Sequence, residues 1–378
     1  MSMTSSHPAD RLNAIDDRWV EMVRPLQLDR RLAPTNLATE RISFLDAWRR
    51  GEVVEPTFTY ESADPADRSA LEAFRRSLRP EECDVEGKYD TLTGQLLEQI
   101  AFLDDRSAER LAAWTTKIYG TPDDDLLVRA EKILEEPPPH VGASPNITAS
   151  SAAERLREGL ATGGYEGWTV EVDPIMNARM SVDALRRRMR VRAGARFTPQ
   201  AIDRLLVHEI GVHVHRAHCG SRQPLRLLGR GLPGYLATEE GLAVWSERES
   251  NLLDPGTMRV YAARVVAART SLDSGFVDVF RAVEPRVGAE AAFEIAARSK
   301  RGLEDPSVPG GHVKDQVYLR GFLEVSRHLE TNPDDLPLLK SAKIGLGDLA
   351  FFETLIHRGL AVVHGADSSS EGPSRCSD

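Results

Sequence analysis

The sequence predicts a mainly α-helical protein with a small β-sheet, an α+β arrangement. Apolar residues recur at helical spacing over most of the chain, both before residue 137 and from residue 199 onward. Strand-like alternation is confined to short segments between residues 168 and 192. The 378 residues are 41% hydrophobic, which is enough for a large core, and no internal repeat is visible.

The first part of the chain has the pattern of helices joined by short loops. The predicted elements are two helices in 8–50 separated near Pro34, a loop over 51–70, a long helix over 89–118 that stops at Gly120, and a helix over 123–136. The prolines at 137–139 form a stiff connector. We therefore expect an N-terminal helical segment over 1–140, a second domain over 141–365, and a polar, disordered tail over 366–378.

The second domain begins with the small sheet and continues as helices. The predicted elements are a helix near 150–162 and strands at 168–172, 180–182 and 189–192. Thr198 and Pro199 then mark a helix start, because threonine is a good N-cap and proline suits the first helical position. Gly220 is the expected end of that helix.

Composition excludes several classes of protein. The formal net charge is −10, with 48 Lys and Arg against 58 Asp and Glu, which argues against a nucleic-acid partner. The three cysteines are far apart and include no CxxC pair, so a reducing compartment is expected. No apolar run suggests a secretory signal or a membrane span. We expect a cytoplasmic protein without a membrane partner.

The most informative segment is the hexapeptide that begins His208-Glu209 and ends at His213. Zinc peptidases place two histidines at i and i+4 of a helix, with a glutamate beside the first as general base. The spacing here is i+5, which on a regular α-helix turns the two imidazoles about 140° apart. A π-bulge near Gly211 would bring them back to one face, and such bulges are frequent at functional sites.

Other residues offer further ligands. A turn at Pro233-Gly234 allows a second helix to fold back against the first, and this helix carries Glu239 and Glu240. Either glutamate is a candidate third ligand, although an acidic first helical turn would also explain both. His215 and His218, three residues apart, could also share an ion, but they lack an adjacent glutamate and are interpreted as solvent-facing or packing residues.

The block from His208 to Glu247 resembles the QEGLA-motif proteins, a family once described as flavohaemoglobin expression modulators. That family is similar to the microtubule-associated tyrosine carboxypeptidases, which remove the C-terminal tyrosine of α-tubulin. The resemblance covers about 150–360, including the segment 309–321, and extends more weakly over 89–122. It implies a zincin-like metallopeptidase domain and carboxypeptidase activity, with a preference for an aromatic last residue.

The resemblance also implies roles for individual residues. It implies a Zn²⁺ cofactor on His208 and His213, with Glu209 as general base. The glutamate of the QEGLA motif falls on Glu240, which is therefore the implied third ligand, while Glu239 stands where the family has glutamine.

A carboxypeptidase also has to neutralise the terminal carboxylate of its peptide or protein substrate. Lys314 and Arg320 are the candidates, and Tyr318 is a candidate donor to the developing oxyanion. Two other functions remain open. A zinc aminopeptidase or dipeptidyl peptidase would bind the free amine through Glu239 or Glu247, and a non-catalytic, metal-binding regulatory protein would have no use for Glu209.

Overall fold

The computed structural model describes residues 8–61, 68–137, 144–174, 176 and 179–364. The α-helices, in chain order, are α1 (Pro8–Val23), α2 (Leu28–Arg31), α3 (Leu37–Arg49), α4 (Arg68–Ser77), α5 (Asp84–Asp105), α6 (Ala108–Tyr119), α7 (Asp124–Glu135), α8 (Ala149–Thr162), α9 (Pro199–Leu205), α10 (His215–Gly220), α11 (Leu227–Arg230), α12 (Tyr235–Glu249), α13 (Pro255–Asp273), α14 (Phe276–Val287), α15 (Ala289–Lys300), α16 (Val317–Thr331), α17 (Leu336–Ser341) and α18 (Leu349–His357). A π-helix (Leu206–Val214) joins α9 to α10, and 3₁₀ turns span Val313–Gln316, Pro333–Asp335 and Leu346–Asp348. The predicted tail over 366–378 and two of the three connector prolines lie outside the described residues.

Most of the predicted helices are present, but the predictions for 8–50, for 89–118 and for the end of the loop over 51–70, where α4 begins at Arg68, differ from the structure. The helix expected over 89–118 is two helices, because α5 ends at Asp105 and Arg106 adopts a left-handed conformation with φ of 48°. The Arg106 guanidinium donates to the carbonyls of Arg31 and Gly302, at 3.1 Å each. These distant partners hold a backbone conformation that a non-glycine residue seldom adopts.

The chain segment before residue 50 has the predicted break near Pro34 and a second one near Pro25. Helix α1 ends at Val23, because proline disfavours the α conformation of the residue that precedes it. The short helix α2 fills the interval before the next break.

The strand predictions are confirmed as a three-stranded sheet with β4 in the centre. Strands β2 (Thr169–Asp173) and β4 (Arg188–Arg192) are parallel, and β3 (Met180–Asp183) is antiparallel to β4. A separate antiparallel pair joins β1 (Ile147–Thr148) to β5 (Arg196–Phe197). Buried Val170, Met189 and Val191 turn one face of the sheet towards α8 and α9.

The π-helix is packed on two sides. Ile210 and Val214 belong to the core formed by α8, α9 and the sheet. Val212 belongs to a different core, which also contains Trp19 of α1 and Leu242 of α12. With these apolar residues buried on two sides, the polar side chains of the π-helix are left facing α12.

Helices α12 and α16 pack with their backbones in direct contact. A Cβ atom added to Gly241 would collide with the backbone of Gly321, and one added to Gly321 would collide with the carbonyl of Ala237. Glycine at both positions therefore allows an approach that any side chain would prevent. This contact brings the residues of α16 next to the glutamates of α12.

Residues on both sides of the expected domain boundary share the same cores. Phe44 of α3 packs against Phe276, Phe280 and Phe293, with ring centroids 4.9–5.4 Å apart. The Asp16 carboxylate of α1 accepts hydrogen bonds from backbone amides at the start of α11. The division at 137–139 stays a prediction.

Within the described ranges, none of the helices combines the length and apolar character that crossing a bilayer requires.

Candidate active site

The i+5 spacing of the two histidines is accommodated as predicted, by departure from α geometry. The nine residues Leu206–Val214 form a π-helix, whose hydrogen bonds join residue i to residue i+5. His208 and His213 consequently face the same side, with ring centroids 5.0 Å apart. Gly211 is not sterically required, because an added Cβ atom would approach only the Leu206 carbonyl, at 3.9 Å.

Three ligand atoms converge where the π-helix faces α12. The Oε2 atom of Glu240 lies 3.7 Å from Nε2 of His208 and 3.6 Å from Nε2 of His213. This oxygen is buried and has no hydrogen-bond partner. A buried carboxylate oxygen without a partner is costly, and a cation bound between it and the two imidazole nitrogens would compensate that cost.

The far nitrogen of each imidazole is bound to its own buried carboxylate. Nδ1 of His208 lies 2.6 Å from Oε1 of Glu247, and Nδ1 of His213 lies 3.0 Å from Oε1 of Glu239. A carboxylate can only accept, so each Nδ1 carries a hydrogen. In the neutral imidazole the Nε2 lone pair is then directed at the shared point. This carboxylate–histidine arrangement is typical of metal ligands.

These two carboxylates are in turn fixed by cations. Arg204 donates to Glu247 at 2.8 Å, and Lys343 to Glu239 at 2.8 Å. The fully buried Arg216 also pairs with Glu239. Glu239 and Glu247 are 2% and 0% exposed, so neither is available to bind the amine of an incoming peptide, as an aminopeptidase would need.

The close packing of carboxylates and imidazoles shifts the pKa values of the candidate ligands. Burial alone would raise the pKa of Glu240, but the neighbouring charges of His213 and His208 outweigh it and hold that pKa well below its usual range. Burial alone would lower the pKa of His213, but Glu240 and Glu239 raise it to about 10. The carboxylates therefore favour a positive charge at this point.

The donor set and its spacing fit a zinc ion. Zinc accepts imidazole nitrogen and carboxylate oxygen at about 2.0–2.2 Å, which separates tetrahedral ligand atoms by roughly 3.3–3.5 Å. The observed separations of 3.6 and 3.7 Å are close to that range. Two histidines and one glutamate leave a fourth position open, as in catalytic zinc sites.

Glu209 lies beside this point without a partner. Its carboxylate belongs to a cluster with His208 and His213 whose ligand atoms lie within 4.8 Å of one another. Among the described residues it forms neither a hydrogen bond nor an ion pair, and it is only half-buried. A free carboxylate at this position can accept a proton from a water molecule.

Tyr318 of α16 is close enough to Glu240 for the carboxylate charge to affect the pKa of its phenol. Burial, followed by the charge of Glu240, raises the pKa of the Tyr318 phenol, which remains a hydrogen-bond donor. Its ring is stacked on that of Tyr261, with centroids 5.1 Å apart and planes 10° apart. The predicted role of Tyr318 as an oxyanion donor is compatible with this position and stays a prediction.

The two cations predicted to bind substrate have different environments. Arg320 is engaged with Asp123 at 2.9 Å, with the Thr121 carbonyl at 2.9 Å and with the Gln316 side chain. These contacts tie the loop after α6 to α16. Lys314 lies in the 3₁₀ turn before α16, where its charge lowers the pKa of Tyr235 against the larger effect of burial. Substrate binding by either residue stays a prediction.

His215 and His218 lie apart from the candidate metal point. The hydroxyl of Tyr165 is 3.0 Å from Nδ1 of His215, and the Cys219 sulfur is 3.6 Å from its Nε2. The Tyr165 ring also packs edge-on against His218. The packing interpretation accounts for both histidines.

Comparison with known proteins identifies a family for this chain. The sequence profile of the microtubule-associated tyrosine carboxypeptidases matches residues 44–364, most of the chain. The chain belongs to this family. The match begins well before residue 150, where the resemblance seen in the sequence becomes strong.

Two mammalian members illustrate the relationship. Microtubule-associated tyrosine carboxypeptidase 1 of Homo sapiens is 37% identical over 147 residues, which are 37% of this chain and 30% of the human protein. Its counterpart from Rattus norvegicus is 36% identical over 137 residues, 34% of this chain and 28% of that protein. The aligned part therefore covers less than a third of either relative.

Proposed function

We propose that this protein is a zinc-dependent carboxypeptidase that removes an aromatic C-terminal residue from a peptide or protein. The observation that carries the proposal is the buried, partnerless Oε2 atom of Glu240 between two imidazoles whose Nδ1 atoms are both held by carboxylates. The names of the related proteins support the direction of cleavage and the tyrosine preference. Their microtubule substrate is not transferred to this chain.

In this mechanism His208, His213 and Glu240 would hold the metal, and Glu209 acts as general base and then as general acid. A zinc ion bound there would supply Lewis-acid activation of a water molecule and of the scissile carbonyl. Glu209 accepts the proton of the attacking water and returns it to the nitrogen of the leaving residue when the C–N bond breaks. The Tyr318 hydroxyl donates a hydrogen bond to the oxygen on which negative charge develops.

The alternatives have weaker support. An aminopeptidase or dipeptidyl peptidase requires a free acid for the substrate amine, and both Glu239 and Glu247 are already bound by cations. A regulatory metal site gives no reason for the unpaired carboxylate of Glu209. The cytoplasmic location, the zincin-like fold and the relation to the QEGLA-motif proteins stay predictions.

The metal is tested by elemental analysis of purified protein. We expect about one zinc per chain, and strong loss of metal from the His208→Ala, His213→Ala double variant. The exposed His357 on α18 provides the control, because His357→Ala should leave the metal content unchanged. Full metal retention in the double variant would reject the site.

The reaction is tested with one aromatic-ended peptide in free, C-terminally amidated and N-acetylated forms, read by mass spectrometry. We expect the free and N-acetylated forms to lose their last residue and the amidated form to be cleaved poorly. Glu209→Gln should keep its zinc and lose hydrolysis, because a carboxamide cannot accept the proton. An amidated peptide cleaved at full rate, with the acetylated one resistant, would instead establish the aminopeptidase.

A further inference from the structure

Arg264 on α13 is an arginine without hydrogen bonds in a mostly buried position. Its side chain is 18% exposed, and its Nε atom is buried with no partner. The nearest carboxylate oxygen is Oδ2 of Asp315, at 3.9 Å, which is too far for a hydrogen bond. A guanidinium carries five donors, so most of the hydrogen-bonding capacity of Arg264 is unused within the described part of the chain.

Asp315 cannot satisfy Arg264 because two other arginines already bind it. Arg298 forms a bidentate pair with the Asp315 carboxylate, with Nη2 to Oδ1 at 3.0 Å. Arg301 adds a contact to Oδ1 at 3.5 Å. Three guanidinium groups thus surround one carboxylate that is 2% exposed, and Arg264 lies farthest from it, beyond hydrogen-bond distance.

This cationic cluster lies next to the candidate active site. The Arg264 guanidinium sits over the ring of Tyr318 at 4.7 Å and over that of Tyr261 at 5.4 Å. The charge of Glu240 contributes to the pKa shifts of Tyr261, Tyr318 and Arg298, so all three lie within its electrostatic reach. Tyr318, over whose ring Arg264 lies, belongs to α16, the helix that contacts α12 at Gly241 next to Glu240.

The chemistry of the cluster suits a carboxylate. A planar, unoccupied guanidinium binds a carboxylate through two parallel hydrogen bonds, and exclusion of water strengthens that pair. Arg298 keeps Asp315 in a bidentate pair, so this carboxylate does not compete with a ligand for Arg264. Lys314 and Arg320 lack this combination, because Arg320 is engaged with Asp123 and Lys314 has interactions of its own.

We propose that Arg264 binds the C-terminal carboxylate of the substrate, with the Arg298–Asp315 pair leaving the Arg264 guanidinium open to it. This inference rests on the proposed carboxypeptidase function, because it places the substrate terminus one residue beyond the bond that is cleaved. Specificity for the last residue of a chain then comes from α13 and α15, which are separate from the helices that hold the metal.

The test measures binding without cleavage, by fluorescence anisotropy of a labelled peptide ending in tyrosine. The zinc-loaded Glu209→Gln protein is titrated against the peptide with a free carboxylate and against its carboxamide. We expect the free acid to bind at least about 30-fold more tightly. Arg264→Met, which keeps the length of the side chain, should weaken acid binding to the level of the amide and leave amide binding unchanged.

Arg269 provides the matched control, because it lies on the same helix, is exposed and pairs with Asp273. Arg269→Met should keep the full preference for the acid. Arg264→Lys keeps the charge but loses the bidentate fork, so it should recover part of the preference and replaces the methionine variant if that one fails to fold.

The outcomes separate the inference from the proposed function. A preference for the acid that survives in Arg264→Met or is complete in Arg264→Lys overturns the assignment of Arg264, even if the wild-type protein cleaves peptides. Equal affinity of the Glu209→Gln protein for acid and amide also overturns it. If the wild-type protein cleaves nothing but the preference depends on Arg264, the anion site stands and the proposed hydrolysis fails.

Discussion

Two carboxylates on α12, Glu239 and Glu247, determine how the candidate ligands are oriented. Each accepts the Nδ1 hydrogen of one histidine and each is bound by at least one buried or partly buried cation. The histidines are therefore held in one tautomer and one orientation before any metal arrives. Such preorganisation raises metal affinity because little side-chain freedom is lost on binding.

The first prediction removes one of these positioning groups. Glu247→Ala leaves the Nδ1 hydrogen of His208 without its acceptor, so zinc affinity should fall by about 10–100-fold. Competition with a zinc chelator measures the affinity, and Glu249→Ala is the control because Glu249 lies on the same helix and is exposed. Equal zinc affinities for Glu247→Ala and wild type would show that Glu247 does not position His208 for metal binding.

The second prediction concerns His312, which is buried among cations. Burial, then the charges of Arg301 and Lys314, hold the pKa of His312 well below its usual value of about 6.5. As pH falls below about 6.5, His312 is protonated in the unfolded chain but stays neutral in the folded protein. The free energy of unfolding therefore decreases. His312 therefore contributes to acid destabilisation, starting at that pH.

His312→Asn tests this assignment. Asparagine keeps an acceptor for the Lys314 amide, which His312 caps, but it does not titrate. The variant should be less stable at neutral pH, because the imidazole packs between Trp114 and Tyr119. Its loss of stability between pH 6.5 and pH 4.5, measured by urea unfolding, should be smaller than in the wild type. An unchanged pH dependence would contradict the assignment.

At the scale of elements, local sequence signals predicted those features whose causes are local. The start at Thr198 and Pro199 and the departure of the next helix from α geometry followed from a cap and from a histidine spacing. The break at Arg106 was not predictable, because the carbonyls that hold its guanidinium belong to Arg31 and Gly302. Close packing at Gly241 likewise depends on a glycine in a distant helix.

The third prediction compares two glycines near the site. Gly241→Ala forces α12 away from α16, since the added methyl group would collide with Gly321, and should cost about 1–3 kcal/mol or more of stability together with lower zinc affinity. Gly211→Ala places its methyl group in ordinary van der Waals contact, 3.9 Å from the Leu206 carbonyl, and should be neutral, or stabilising by about 0.5–1 kcal/mol. Thermal unfolding and chelator competition measure both effects. Similar destabilisation by the two substitutions would contradict the packing argument.

At the scale of the whole molecule, the sequence predicted the candidate metal ligands but not the cationic cluster. His208 and His213 stand in a short motif whose spacing predicts a shared ion, and the family resemblance selects Glu240 from two adjacent glutamates. Arg264 and Asp315, by contrast, come from α13 and a 3₁₀ turn that meet only in the folded chain. No spacing rule relates such residues, so the cluster could be found only from the structure.

The packing of the N-terminal helices has a consequence for fragments of the chain. Phe44 packs edge-on or tilted against three phenylalanines of α14 and α15, and Trp19 shares a core with Val212 of the π-helix. Removing residues before 144 would expose both faces, and each large buried side chain stabilises the fold by about 1.5–3 kcal/mol. That loss is comparable with the whole stability of a typical protein.

The fourth prediction is that a fragment of residues 144–364 does not fold cooperatively alone and binds zinc more weakly than the full chain. Circular dichroism during thermal unfolding and chelator competition measure the two properties. The control is the full chain with a protease site placed within 138–143 and cut after purification. If noncovalent packing holds the two parts together, they should stay associated after cleavage and keep the zinc. A sharp unfolding transition and full zinc affinity in the fragment alone would instead establish an independent domain beginning near residue 144.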